Sequence, residues 1–120
     1  NSDHHYDLIK TSEMLREWFI NNDVEGLYKD EVEYLYTKLM YINTISVILN
    51  KYDNVDYEKM KEVRNNFLQK QPEYYKNKHY KQFYSLGKRA LYRVNDYNVY
   101  VFAFLFKCAK KLIALSNILK

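Results

Sequence analysis

Two glycines and one proline in 120 residues leave this chain almost no turn chemistry. Folds made of many short strands need frequent turns, and those turns draw on Gly, Pro, Asn and Asp at fixed positions. A β-sandwich, a barrel or a collagen-like repeat is therefore excluded, and a few long helices are predicted. Hydrophobic residues make up 48% of the chain, including 14 tyrosines and six phenylalanines, which is too apolar for a disordered segment. The length suits one helical domain over residues 1–120 that buries roughly 60–70% of its unfolded surface. The single cysteine, Cys108, excludes a disulfide scaffold and a cysteine-only zinc site.

Net charge is +4, but its distribution says more than its sum. Residues 1–60 hold 6 Lys/Arg and 12 Asp/Glu, whereas residues 61–120 hold 13 and 3. From Lys76 onward, ten bases accompany one acid, Asp96. Such a split points to an anionic partner or an anionic neighbour. The longest apolar run, Val99 to Phe106, has eight residues, against about 18–20 for a membrane span. The opening Asn1-Ser2-Asp3-His4-His5 lacks the basic and apolar regions of a signal peptide. Since it does not start with Met, the chain is expected to be an excised or processed piece of something longer.

Gly26 and Pro72 punctuate the chain, and no 20–50-residue repeat is visible. A first helix is predicted after Ser2 or Asp3 and ends near Asn21-Asn22, with Leu8, Thr11, Ser12, Leu15, Trp18 and Phe19 on one face. A second runs from Leu27 or Tyr28 to Lys51. Its stripes, Val32-Leu35-Leu39-Ile42-Leu49 and Tyr34-Tyr41-Ile45-Ile48, make it apolar on two sides and hence central. A turn over 52–56 offers Asp53 or Asp56 as a cap for a third helix carrying Tyr57, Met60, Val63 and Phe67 to about Lys70, where Pro72 stops it. Residues 73–95 read as one or two short helical pieces, with a cap at Ser85. The last helix is predicted to begin near Asp96, with Val101, Phe102, Leu105, Ala109, Leu112, Ile113 and Leu119 on its core face and Lys107, Lys110 and Lys111 opposite. The expected fold is an all-α bundle of four to five helices with a central second helix and an amphipathic basic C-terminal helix.

Catalytic chemistry finds little purchase. His4 and His5 point about 100° apart on a helix, and no His-x-x-x-His or Cys-x-x-Cys is present, so a polar N-terminus and a surface His79 account for the histidines. Cys108, in the last apolar helix, reads as a buried inert thiol. Glu25, Asp30, Glu31 and Glu33 sit at a helix start, where they oppose the positive end of the dipole. Neither glycine belongs to a phosphate-cradling run. Between Tyr74 and Arg93, five tyrosines and Phe83 alternate with Lys76, Lys78, Lys81, Lys88, Arg89 and Arg93, a pattern single-strand binding uses. Lys, Asn and Tyr, however, supply 41 of 120 residues, a bias of AT-rich codon usage, and nucleic acid is not the expected partner. The basic face of the last helix suits an anionic membrane surface while its other side packs in the core.

The order of these segments resembles a known family. After the first helix come Tyr34-Leu-Tyr-Thr-Lys-Leu-Met-Tyr41, a Lys/Glu-rich helix, Tyr74-Tyr-Lys-Asn-Lys78, Ser85-Leu-Gly-Lys-Arg-Ala-Leu-Tyr92 and Val101-Phe-Ala-Phe-Leu-Phe-Lys107. Together they resemble the helical C-terminal tail of bacterial family-2, GT-A type glycosyltransferases of capsule, polysaccharide and teichoic-acid clusters. The resemblance implies an upstream catalytic domain in the same chain that holds a divalent metal and a nucleotide-sugar through Asp-x-Asp. Neither that motif nor Gln-x-x-Arg-Trp is present here, so no catalytic, metal or cofactor residue carries over and this piece is expected to be inactive. It further implies a cytoplasmic protein, peripheral on the inner face of the membrane or self-associating, with Lys76, Lys78, Lys81, Lys88, Arg89, Arg93, Lys107, Lys110 and Lys111 as candidate anionic-surface contacts. The alternative is a non-enzymatic helical interaction module that binds an anionic partner.

Overall fold

Four side chains cut the second half of the chain into helices, each by accepting the backbone N–H groups that a helix start leaves unpaired. Asp56 accepts from Lys59, Asn77 from His79 and Tyr80, Ser85 from Lys88, and Asn98 from Tyr100 and Val101, all at 3.0–3.2 Å. The computed structural model describes residues 4–22, 26–51 and 54–119. Among them are six helices and no strand. These are α1 (His4–Asn22), α2 (residues 29–51), α3 (Tyr57–Lys70), α4 (Lys78–Phe83), α5 (Leu86–Tyr97) and α6 (Val99–Leu119), with a 3₁₀ turn at Tyr74–Lys76. Gly26, at φ +66°, lies just ahead of α2, in a conformation that side-chain-bearing residues avoid. The all-α fold class is as expected; the predicted caps Ser2, Asp3 and Asp53 lie outside the described residues.

The central helix α2 is not uniform. Lys29–Tyr36 and Asn43–Lys51 are α-helical, but Thr37–Ile42 between them is a π turn. There the Asn43 N–H reaches back five residues to Lys38 O, and Thr44 Oγ1 donates to Leu39 O at 2.9 Å. The wider turn steps the buried face around the helix. Tyr36 faces inward before it, Thr37, Met40, Tyr41 and Ile42 within it, and Ile45, Ile48 and Leu49 after it. The predicted stripe through Leu35 and Leu39 is thereby displaced, leaving Leu35 46% exposed.

Two further faces differ from the sequence reading. On α1 the bundle takes the side bearing Ile9, Ser12, Arg16 and Phe19, so Leu15 and Trp18 are turned to solvent. On α6 the buried positions are Val99, Phe102 and Ala103, with Phe106 packed beside them, at helical spacing on one side. Val101, Leu105, Leu112 and Ile113 lie outside the core. Nor does α6 start at Asp96, which stands in the last turn of α5; Asn98 is the cap, because the Asp96 carboxylate is engaged elsewhere.

The core is mostly ring on ring. Phe67 stacks on Tyr41 at 4.5 Å and 13°, Tyr74 meets both rings edge-on, and Tyr92 joins them to Phe102. Aromatic pairs in this geometry contribute roughly 0.5–1.5 kcal/mol each beyond their area. The aromatic content of the sequence is thus largely core content, and it connects α2, α3, α5 and α6.

Candidate interaction surface

Asp96 is the most strongly perturbed acid among the described residues, and its geometry shows what it does. Its side chain is 4% exposed. Tyr41 donates to Oδ1 at 2.5 Å, Tyr74 to Oδ2 at 2.8 Å, and Arg93 Nη1 to Oδ2 at 2.8 Å. Asn95 in turn donates to the Tyr41 hydroxyl at 2.8 Å. Burial pushes the Asp96 carboxyl above its ordinary value, against the pull of those three donors. Burial and the Asp96 charge both push the Tyr41 and Tyr74 hydroxyls upward. Perturbed groups often mark active sites, but here both carboxylate oxygens are occupied by the bundle's own donors. The cluster ties α2, the 3₁₀ turn and α5 together.

The other candidates are also drawn into structure. Asp30 lies 3.6 Å from Lys78, and Glu31 lies 3.4 Å from His79, which is half-buried beside Tyr34 and Phe83 instead of being a surface histidine. Lys70 pairs with Glu13. Acids of the first half therefore meet bases of the second inside one bundle, which accounts for part of the charge split. Glu33 is half-buried; Glu25 and the side chains of His4 and His5 lie outside the described ones. No group of three metal-ligating side chains occurs among the described residues. A cleft of about 290 Å³ between α1 and α2 mixes Phe19, Ile20 and Val32 with Arg16, Lys29 and Glu33.

The nine basic contacts proposed from sequence separate into two groups. Arg93 stacks over the Tyr75 ring at 3.9 Å while bonding Asp96, Arg89 donates to Tyr84 O, and Lys76 pairs with Glu73. Lys78 pairs with Asp30, and Lys110 donates to Asn50 Oδ1 at 2.5 Å. Lys88 leans over the Tyr84 ring. Lys81, Lys107 and Lys111 stand exposed. Of the five tyrosines that alternate with these bases, Tyr74, Tyr80 and Tyr92 are buried, so the apparent stacking ladder is core.

What stays uncovered is α6. From Lys110 to Ile118 every residue is exposed, among them Leu112, Ile113, Leu115 and Ile118. Nearer the bundle, Tyr100, Val101, Phe104 and Leu105 face outward too, with Phe104 at 68%. This helix has no acidic residue. No helix of the described residues is long and apolar enough to cross a membrane. Sequence reasoning missed the outward face by assigning Val101, Leu105 and Leu112 to the core; the signal was that apolar residues occupy two opposite sides of α6. Comparison with protein-family models, curated proteins and solved structures finds no match.

Proposed function

We propose that this chain is a non-catalytic helical accessory domain of a nucleotide-sugar-dependent glycosyltransferase of cell-surface polysaccharide synthesis, and that one flank of α6 rests on an anionic membrane surface. The order of motifs from Tyr34 to Lys107 supports the enzymatic context. In that reading the divalent metal and the nucleotide-sugar belong to a catalytic domain ahead of Asn1. A GT-A domain with Asp-x-Asp encoded there is the expected finding, and a start codon immediately before Asn1 overturns it.

The observation that carries the membrane contact is the exposed row Tyr100, Phe104, Lys107, Lys111 and Ile118 along one side of α6. Lys61 of α3 extends the row, donating to the Tyr100 hydroxyl at 2.8 Å, and Tyr57 lies against the same ring at 4.6 Å. Tyrosine suits the headgroup layer, where its ring is apolar and its hydroxyl wet. Lysine stems lie along apolar surface while their ammonium groups reach anionic lipid, each contributing about 1 kcal/mol near the surface. The protein would be peripheral, on the inner face of the membrane.

Vesicle co-sedimentation tests this. The chain should pellet with phosphatidylglycerol-containing vesicles and remain in solution with phosphatidylcholine alone, and Lys107→Glu with Lys111→Glu should cut the bound fraction about tenfold. Equal recovery with both vesicle types removes the membrane role.

A further inference from the structure

The cleft of about 290 Å³ between α1 and α2 differs from the rest of the surface in what its charged groups do. Elsewhere acids and bases meet: Glu13 with Lys70, Asp30 with Lys78, Glu31 with His79 and Asp96 with Arg93. In the cleft, the side chains of Arg16, Lys29 and Glu33 have neither an ion pair nor a hydrogen bond among the described residues. Arg16 only leans over the Tyr36 ring, 5.4 Å from its centre. The most buried lining residue is Gln71, at the end of α3 and 7% exposed. Its Oε1 accepts from Thr37 Oγ1 at 3.1 Å, while its Nε2 is buried with no partner among the described residues. A donor shut away from water and left unpaired is destabilising, and folded proteins keep few of them. Gln71 borders the cleft, so an acceptor held there supplies what this amide lacks.

We propose that this cleft binds a small monocarboxylate with an apolar body. Its carboxylate would lie between Arg16 and Lys29, one oxygen accepting from Gln71 Nε2, and its body against Phe19, Ile20 and Val32. Each part of that ligand answers a group on the wall. A guanidinium holds a carboxylate through two parallel N–H···O bonds, and an ammonium adds a second positive charge. Lys29 opens α2, and a helix start favours negative charge. The acids of that first turn, Asp30 and Glu31, are already taken by Lys78 and His79. Glu33, unpaired on the same wall, repels a second negative charge, which selects a monoanion over a dicarboxylate or a phosphate. Phe19, Ile20 and Val32 leave no donor or acceptor for a polar body, so that part of the ligand is hydrocarbon. The volume is at the small end for a ligand site and admits roughly ten non-hydrogen atoms. No residue of α6 lines the cleft, so this site stands apart from the proposed membrane flank.

Titration of the 120-residue chain with 3-phenylpropionate, followed by two-dimensional amide NMR, tests this. The signals of Arg16, Phe19, Lys29 and Val32 should shift together and saturate with a Kd of about 1 mM, as a ligand of this size supports. Two further probes separate the parts of the ligand without altering the protein. 3-Phenylpropionamide has the shape without the charge, acetate has the charge without the body, and each should bind at least about tenfold more weakly. Arg16→Gln should cost a similar factor. Gln71→Met removes the orphaned donor, so it should weaken binding about fivefold while the urea midpoint stays the same or rises. A glutamine that served only the fold would instead lower the midpoint and leave binding unchanged. Absence of saturable shifts at about 10 mM probe overturns the proposal. So does an amide that binds as well as the acid, or binding that survives both Arg16→Gln and Gln71→Met unchanged.

Discussion

Tyr41 and Tyr80 are both fully buried, yet their hydroxyls meet different fates. The Tyr41 hydroxyl donates to Asp96 and accepts from Asn95, whereas the Tyr80 hydroxyl has no hydrogen-bond partner among the described residues. A buried polar group without a partner costs about 1–3 kcal/mol, and a satisfied one contributes about 1 kcal/mol. Tyr80→Phe should therefore leave stability unchanged or raise it by about 1 kcal/mol, while Tyr41→Phe should lower it by about 1–3 kcal/mol. Urea midpoints of the two variants check this, and the reverse order would contradict the hydrogen-bond partners given to the two hydroxyls. Asp96 also shows where single residues mislead. As the one acid after Lys76, it reads only as the place near which the last helix begins. Arg93 is a helical neighbour, but only the fold brings Tyr41 and Tyr74 to it, from 55 and 22 residues away.

At the scale of elements, the boundaries at Asp56, Pro72 and Ser85 were legible because caps act over three or four residues. Asp56 and Ser85 accept from N–H groups three positions on, and Pro72 restricts the residue just before it. The faces were less legible because a face is chosen by neighbours. The π turn in α2 shifts the phase of everything after it, and no residue type in Thr37–Ile42 announces that shift. On α6, Phe102 and Ala103 are buried together while Leu105, equally apolar in the sequence, is left 38% exposed. The candidate surface was legible in part. Lys107 and Lys111 are exposed as expected, but Arg93 looked equally available and is engaged by Asp96 and by the Tyr75 and Tyr97 rings.

For the whole molecule, the tyrosine core sets an alkaline limit. Burial pushes Tyr36 and Tyr92 up to about 12, and holds Tyr41, Tyr74 and Tyr80 further above the ordinary value. Each folded-state phenol keeps its proton more tightly than the unfolded chain does. The stability this contributes is complete below the unfolded value of about 10 and is lost as pH rises through the folded values. The melting temperature should accordingly fall steeply above about pH 10. The buried tyrosines should gain tyrosinate absorbance only as helical ellipticity disappears; ionisation of all of them with the helix signal intact would contradict the packing described.

The molecule extends 52 Å along its long axis, and its only indole stands at the rim. Trp18 is 58% exposed on α1, with Phe19 edge-on to it. Its emission therefore samples water in the folded and the unfolded chain alike. A fluorescence melt would look nearly featureless while the tyrosine core came apart, and a spectroscopist relying on that signal would mistake a cooperative protein for one that does not unfold at all.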